Sequence, residues 1–252
     1  MPTPAVTVDE IIELLKHSNL ATVLVEGNDD EYIFRQLERD LGVGSVDVLK
    51  CGGRTALLSI YERRAEFTNC RTAFFADRDL WLFTKVPCQY NGIVFTEGYS
   101  IENDLLGSGD FRRLFDAAKG EEAEFERLIK TVVPWFAFEV NEYIQGRPPK
   151  VDVHIDQLVV RGTGVLANNW VQQRGCLPGT HPITADLAKD YMQKLRGHLL
   201  LEILVRLLNA AGRTARYRHI EILEIPLKLG LAHLKWQRIL SEVKSRLGDT
   251  RV

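Results

Sequence analysis

Two short stretches constrain the fold of this chain more than any others: Thr22 to Asp30, TVLVEGNDD, and Thr72 to Asp79, TAFFADRD. Each opens with an apolar run too short for most helices and closes abruptly on carboxylates. That is the pattern of a buried strand delivering acids to the end of a sheet. A third run, Gly92 to Phe95, is followed by Glu97, Glu102 and Asp104. Acids arriving repeatedly at strand ends suit a hard cation such as Mg2+, which prefers carboxylate and water oxygens, and Mn2+ shares that preference. A Mg2+ site is the leading expectation.

The segments around these runs alternate in period. Thr7 and Glu10 have the spacing of a T-x-x-E capping box, and Ile11, Ile12, Leu14 and Leu15 give the following helix an apolar face. After the strand ending at Val25, Glu26 and Gly27 make an acidic turn. Asn28 or Asp29 then serves as N-cap for a helix carrying Ile33, Phe34, Leu37 and Leu41. Val46 to Leu49 reads as a second strand closed by Lys50 and the Gly52, Gly53 pair. Thr55 to Phe67 reads as a second helix, Thr72 to Ala76 as the third strand and Gly92 to Phe95 as the fourth. Strands alternating with helices of this length predict βαβ units and a mostly parallel sheet, with its site at the carboxyl ends of the strands. Glu26, Asp77 and Asp79 all fall there. Ser100 is placed to cap a short helix with Glu102 near its N-terminus.

From Phe111 onward the pattern turns helical. Phe125, Leu128, Ile129, Val132, Val133, Phe136 and Val140 follow i, i+3, i+4 spacing, with Pro134 as a kink or break. Gly146 to Pro149 reads as a linker, and Gly162 to Pro182 as an irregular loop. Further helices are expected at about 185–211 and 227–247. The expected organisation is a catalytic α/β domain with an N-terminal helix over residues 1–107 and a mostly helical region over 108–252.

Composition narrows the classes. With 45% hydrophobic residues the chain can fill a substantial core, and a formal net charge of -2 neither demands nor excludes a nucleic-acid partner. The greasiest segment, Leu199 to Leu208, carries Glu202 and Arg206 and is too short to span a bilayer. No leader pattern precedes the first helix, and Cys51, Cys70, Cys88 and Cys176 form no CxxC pair, so a cytoplasmic protein with reduced thiols and no membrane contact is expected. P-loop, zincin and G-x-S-x-G motifs are absent from the sequence.

The acidic stretches resemble the Toprim family, the catalytic domain shared by topoisomerases, bacterial primases and overcoming-lysogenization-defect nucleases. The resemblance rests on Val25, Glu26 and Gly27 with Asp30 four residues after the glutamate, and on Asp77, Arg78 and Asp79 after the third strand; it covers roughly residues 20 to 107. It implies a Rossmann-like α/β fold with a helical C-terminal extension. It also implies phosphodiester chemistry in which Glu26, Asp77 and Asp79 are catalytic and Glu26, Asp30, Asp77, Asp79 and Glu102 hold Mg2+. A closer likeness is to the stand-alone Toprim effectors paired with ABC-type ATPases in bacterial anti-phage defence, those of the PARIS system above all. It is carried by Glu97 to Asn103, EGYSIEN, and by Leu195 to Leu201, LRGHLLL, which is similar to a lysine-glycine-lysine segment with Arg196 and His198 in place of the lysines. That likeness implies a nuclease, an ATPase partner, and tRNA as the substrate class.

Elementary electrostatics agrees with the metal expectation, because convergent carboxylates repel one another unless a cation lies between them. Bound Mg2+ activates water and stabilises charge developing on a phosphate. Glu26 fits two roles, ligand or general base. Lys50 and Arg54 flank the glycine pair either as phosphate contacts, alongside Arg196 and His198, or as solvated surface residues. Basic residues interleaved with aromatics, Arg213, Arg216, Tyr217 and Arg218, then Lys235, Trp236, Arg238, Lys244 and Arg246, suit folded or looped RNA. The apolar faces of the C-terminal helices are candidate docking surfaces for the ATPase or a second copy. The competing readings are a DNA nuclease, a primase-like phosphotransferase, a catalytically silent ATPase-binding adaptor, and acids that serve only as caps and turns.

Overall fold

The computed structural model describes residues 6–27, 31–42, 45–107, 111–167, 170, 174–175, 181–228, 230 and 233–248. The first helix, α1 (Val8–His17), starts at the expected box: Glu10 N–H donates to Thr7 Oγ1 at 3.3 Å and Thr7 N–H to Glu10 Oε2 at 2.8 Å. Its apolar stripe buries Ile11, Ile12 and Leu15.

The strands are β1 (Ala21–Val25), β2 (Val46–Lys50), β3 (Thr72–Ala76) and β4 (Val94–Phe95). Among the described residues they form one sheet in the order β2-β1-β3-β4, with every pair parallel. β1 is buried at all five positions, as a central strand covered on both faces must be, which is why its sequence is an unbroken apolar run rather than an alternation. The crossovers are α2 (Glu31–Gly42) and α3 (Arg54–Glu62). The molecule is thus α/β and Rossmann-like, with helices flanking a parallel sheet. Val25 lies opposite both Lys50 and Phe75, so the residues that leave the strands next emerge along one edge.

Two elements are shorter than expected. α3 stops at Glu62, and a 3-10 turn at Arg64–Glu66 replaces its last turns. Arg63, the residue between, pairs with Asp9 and Glu66. β4 loses Gly92 and Ile93 because Ile93 N–H donates to Tyr90 O, closing a turn.

Contacts divide the chain into two compact units that interleave in sequence: Met1–Asp77, Val86–Thr96 and Leu234–Val252 form one, Arg78–Lys85 and Glu97–His233 the other. The last helix therefore belongs with the sheet. Within that first unit Trp236 is 6% exposed and its indole N–H donates to Asp40 Oδ2 at 2.7 Å, while Arg238 donates to Phe95 O and Arg246 to Asn91 O.

The second unit carries α4 (Ile101–Leu106), α5 (Glu121–Ile144), α6 (Ile155–Leu158), α7 (Ile183–Lys189), α8 (Tyr191–Lys194), α9 (Gly197–Leu208) and α10 (His219–Lys228), and the last helix, α11 (His233–Arg246), begins at its end. α5 runs through Pro134 unbroken. A proline inside a helix costs about 3 kcal/mol. Each buried large apolar side chain returns about 1.5–3 kcal/mol. The stripe Phe125, Leu128, Ile129, Val132, Val133, Phe136 and Val140 is buried throughout, so packing outweighs the proline. Gly146 to Pro149 follows α5 inside the same unit.

The single helix expected at about 185–211 is instead α7, α8 and α9. Leu195 and Arg196 take extended backbone, ψ 148° and 122°, and the carbonyls of Met192 and Leu195 accept from the Asn103 side-chain amide. A partner distant in sequence thus takes carbonyls at the break between helices. No helix among the described residues is long and apolar enough to cross a membrane.

Burial of Trp236 makes a prediction. Trp236→Ala should lose about 3–5 kcal/mol in urea unfolding through the cavity it leaves. Trp236→Phe should lose about 1 kcal/mol through the missing hydrogen bond to Asp40. Unchanged unfolding midpoints would contradict the packing of α11 on the sheet unit.

Candidate functional site

At the carboxyl edge of the first unit, the chain leaving β2 wraps around the end of β1. Cys51 N–H donates to Val25 O at 2.8 Å and Gly53 N–H to Glu26 O at 2.6 Å, extending the ladder past the strands. Gly52 and Gly53 have φ of 83° and 118°, a region side chains disfavour, so the glycine pair is what the turn requires. α3 starts at the next residue, Arg54, whose guanidinium lies at this edge. Its Nη1 donates to Asp77 O at 2.9 Å and stands 3.5 Å from Glu26 Oε1. Glu26 Oε1 also accepts from Asp77 N–H at 3.2 Å. Glu26, Arg54 and Asp77 are therefore brought together, with Glu26 only 18% exposed. Lys50 ends β2 opposite Val25. Asp30 lies outside the described residues. The Cys51 thiol is pushed up to about 12 by burial and by the Glu26 charge, which leaves it an inert core residue.

The remaining acids belong to the second unit. Asp79 is the one non-glycine with a left-handed backbone among the described residues, φ 49°, and its N–H donates to Tyr99 O at 2.7 Å. Aspartate tolerates that region better than most residues, and such a conformation is often held at functional positions. Asp104 is fully buried and both its oxygens are occupied, accepting from Glu97 N–H and Gly98 N–H at 2.8 Å each. It is a turn clamp. Glu97 is exposed. Glu102 differs from both: its Oε2 is buried and has no hydrogen-bond partner among the described residues.

The two stretches that carry the closer resemblance meet in this unit. Asn103 is fully buried; its Oδ1 accepts from Ser100 N–H and Oγ, and its Nδ2 donates to Met192 O at 2.7 Å and Leu195 O at 2.8 Å. Tyr99 N–H donates to Gln193 O at 2.8 Å. Gly197 sits so close that a β-carbon would stand 2.2 Å from Ser100 Oγ and 2.9 Å from Glu102 Cβ. Only glycine fits.

Arg196 and His198 flank that glycine, each engaged with an acid. Arg196 Nη2 donates to Asp152 Oδ1 at 2.7 Å, while its Nη1 is buried without a partner among the described residues. His198 Nε2 is 3.3 Å from Oε1 of Glu202, one helical turn on, and Glu202 Oε2 accepts from Ile155 N–H at 2.7 Å. The Glu202 hydrogen bond raises the His198 pKa against the opposing effect of burial. Burial pushes the Glu202 carboxyl up, yet His198 and the Ile155 N–H together hold it below its usual range. His219, whose ring lies 5.1 Å from that of His198, is lowered by burial and by the neighbouring histidine charge.

The basic and aromatic C-terminal residues are more committed to the fold than their spacing suggests. Trp236 is core, and the Arg213 guanidinium, 12% exposed, is bound to Glu121 and Leu114 O. Arg216 donates to Asn209 O, and Arg218 pairs with Glu221 while staying exposed.

As a metal centre, the first unit offers carboxylate oxygens from Glu26 and Asp77 at adjoining strand ends, a donor set suited to Mg2+. Among the described residues no group of three or more His, Cys, Asp or Glu forms a preformed cage. Mg2+ typically takes one or two carboxylates and keeps several waters, so an anchor at this edge needs no larger acidic cluster. No protein-family model matches this chain, and no curated protein matches it significantly.

Sequence reasoning did not assign roles to Asn103, Asp152 or Glu202. The i, i+4 spacing of His198 and Glu202 was the available signal for that pair. Its pH dependence follows from the two shifts. His198 is raised above 6.5, so its contribution is full below about 6.5 and is lost as pH rises through the raised value. Glu202 is lowered from 4.5, so its contribution is full above about 4.5 and is lost as pH falls through the lowered value. Glu202→Gln, which keeps an acceptor for Ile155, should therefore lower the melting temperature more at pH 6 than at pH 9. Equal losses at both would contradict the pair.

Proposed function

We propose that this protein is a Mg2+-dependent Toprim-like nuclease, an effector of the kind exemplified by AriB of the PARIS anti-phage system. The observation that carries the reading is the meeting of Glu26 and Asp77 at the carboxyl edge of two adjacent parallel strands, linked by the Asp77 N–H and the Arg54 guanidinium. Parallel α/β sheets place their chemistry at that edge. Glu26 and Asp77 would hold the cation there, and the cation, when bound, supplies an activated water and neutralises charge on the scissile phosphate. Glu26 is also placed to take a proton, since its carboxylate stays partly exposed. The resemblance also assigns Asp79 and Glu102, which belong to the second unit; Asp79 has a left-handed backbone and one Glu102 oxygen is buried without a partner among the described residues. Arg196 and His198, which the resemblance assigns to phosphate contact, are each engaged with an acid, Asp152 and Glu202.

The substrate we propose is tRNA, on the Toprim-effector resemblance, with activity governed by an ABC-type ATPase partner. Hydrolysis by a metal-activated water needs no 2′-hydroxyl, so the chemistry alone permits DNA.

Purified protein with Mg2+ should cut total tRNA, and EDTA, Glu26→Gln or Asp77→Asn should reduce the rate by at least about 100-fold without changing the melting curve, as loss of a metal-activated nucleophile implies. Cleavage of plasmid or single-stranded DNA with tRNA intact would overturn the substrate. A folded Asp77→Asn protein that cuts at the wild-type rate would overturn the site.

A further inference from the structure

We propose that Arg54 is a positioning residue for Glu26 rather than a contact to the substrate backbone; this rests on the nuclease reading above. Its guanidinium is tied at two points. Nη1 donates to the neutral Asp77 carbonyl at 2.9 Å and lies 3.5 Å from Glu26 Oε1, while Asp77 N–H donates to the same Glu26 oxygen at 3.2 Å. The backbone on which Arg54 stands is itself bound to Glu26, through Gly53 N–H to Glu26 O at 2.6 Å. These bonds close a ring: Glu26 main chain to Gly53, Arg54 side chain to Asp77 main chain, Asp77 main chain to Glu26 carboxylate. Every member comes from the first unit.

That ring fixes direction as well as charge. A carboxylate at the end of a strand has free side-chain torsions and would turn toward water. Here one nitrogen of a permanently charged guanidinium, Nη1, is anchored on a carbonyl and opposes that turn, and a lysine ammonium, which reaches one bond less far along the side chain than Nη1, falls short of the two acceptors. The Arg54 side chain is 23% exposed.

The two roles separate experimentally. Arg54→Ala and Arg54→Lys are compared with wild type for kcat, KM and the salt dependence of tRNA affinity under non-cleaving conditions. Positioning predicts that kcat falls by about 100-fold in both variants, the cost of a misplaced reacting group. KM and the slope of affinity against salt stay at wild-type values, and low millimolar guanidinium restores part of the Arg54→Ala rate. A slope shallower by about 0.7–0.9, the release of one phosphate's counterion, would overturn the proposal. So would an unchanged kcat. A thermal-stability cycle with Glu26→Gln, Arg54→Ala and the double variant reads the contact without any activity. Positioning predicts that the double variant melts close to the worse single variant. Additive losses would overturn the proposal whether or not wild type cuts RNA. A wild type that cuts nothing would instead remove the nuclease reading.

Discussion

Repulsion between carboxylates held at one strand edge is the constraint on which the first unit depends. β1 and β3 are adjacent and parallel, so Glu26 and Asp77 follow the ends of neighbouring strands, where the Asp77 N–H binds the Glu26 carboxylate. Like charges at neighbouring strand ends oppose each other unless a counter-charge lies between them. The local sequence answers that cost residue by residue. The glycine pair lets the chain after β2 fold over the end of β1, α3 starts there, and its first residue is the arginine that reaches Glu26 and the Asp77 carbonyl.

The second unit treats its acids differently. Asp104 receives two backbone N–H groups, Glu121 receives Arg213, Glu139 receives Arg174 and Lys150 N–H, and Glu202 receives Ile155 N–H beside His198. Burial without such partners costs several kcal/mol per charge, so compensated acids of this kind are structural. Glu102 stands apart because one of its oxygens is buried and unanswered among the described residues. Its neighbour Asn103 binds the carbonyls at the break before α9, and the Gly197 contact fixes the approach. Two stretches some ninety residues apart in sequence thereby become one structural element.

Much of this was readable before any coordinates. The apolar runs at Thr22 and Thr72 became adjacent central strands because an unbroken hydrophobic run of that length has few other places to go. The capping box at Thr7 and the helix start at Ser100 formed because their polar atoms have local partners. Long-range competition was not readable. Pro134 marks a helix end by its own preference, yet the buried stripe on either side carries the helix through. Leu195 and Arg196 belong to a helical pattern, yet Asn103 claims carbonyls there. Trp236 and Arg213 look like nucleic-acid contacts in sequence, and only packing shows that Asp40 and Glu121 hold them in the fold. The interleaving of the two units likewise depends on where α11 docks.

Glu26 and Asp77 are the proposed anchors of a divalent cation. The most direct measurement is Mn2+ titration of the purified protein followed by electron paramagnetic resonance, comparing wild type with a folded Glu26→Gln, Asp77→Asn double variant in the absence of any nucleic acid. The wild type should show saturable binding that Mg2+ displaces, and binding should be weakened by at least about 10-fold in the double variant, as expected when carboxylates that hold the ion are removed. Equal Mn2+ affinity in the two proteins would contradict that anchoring.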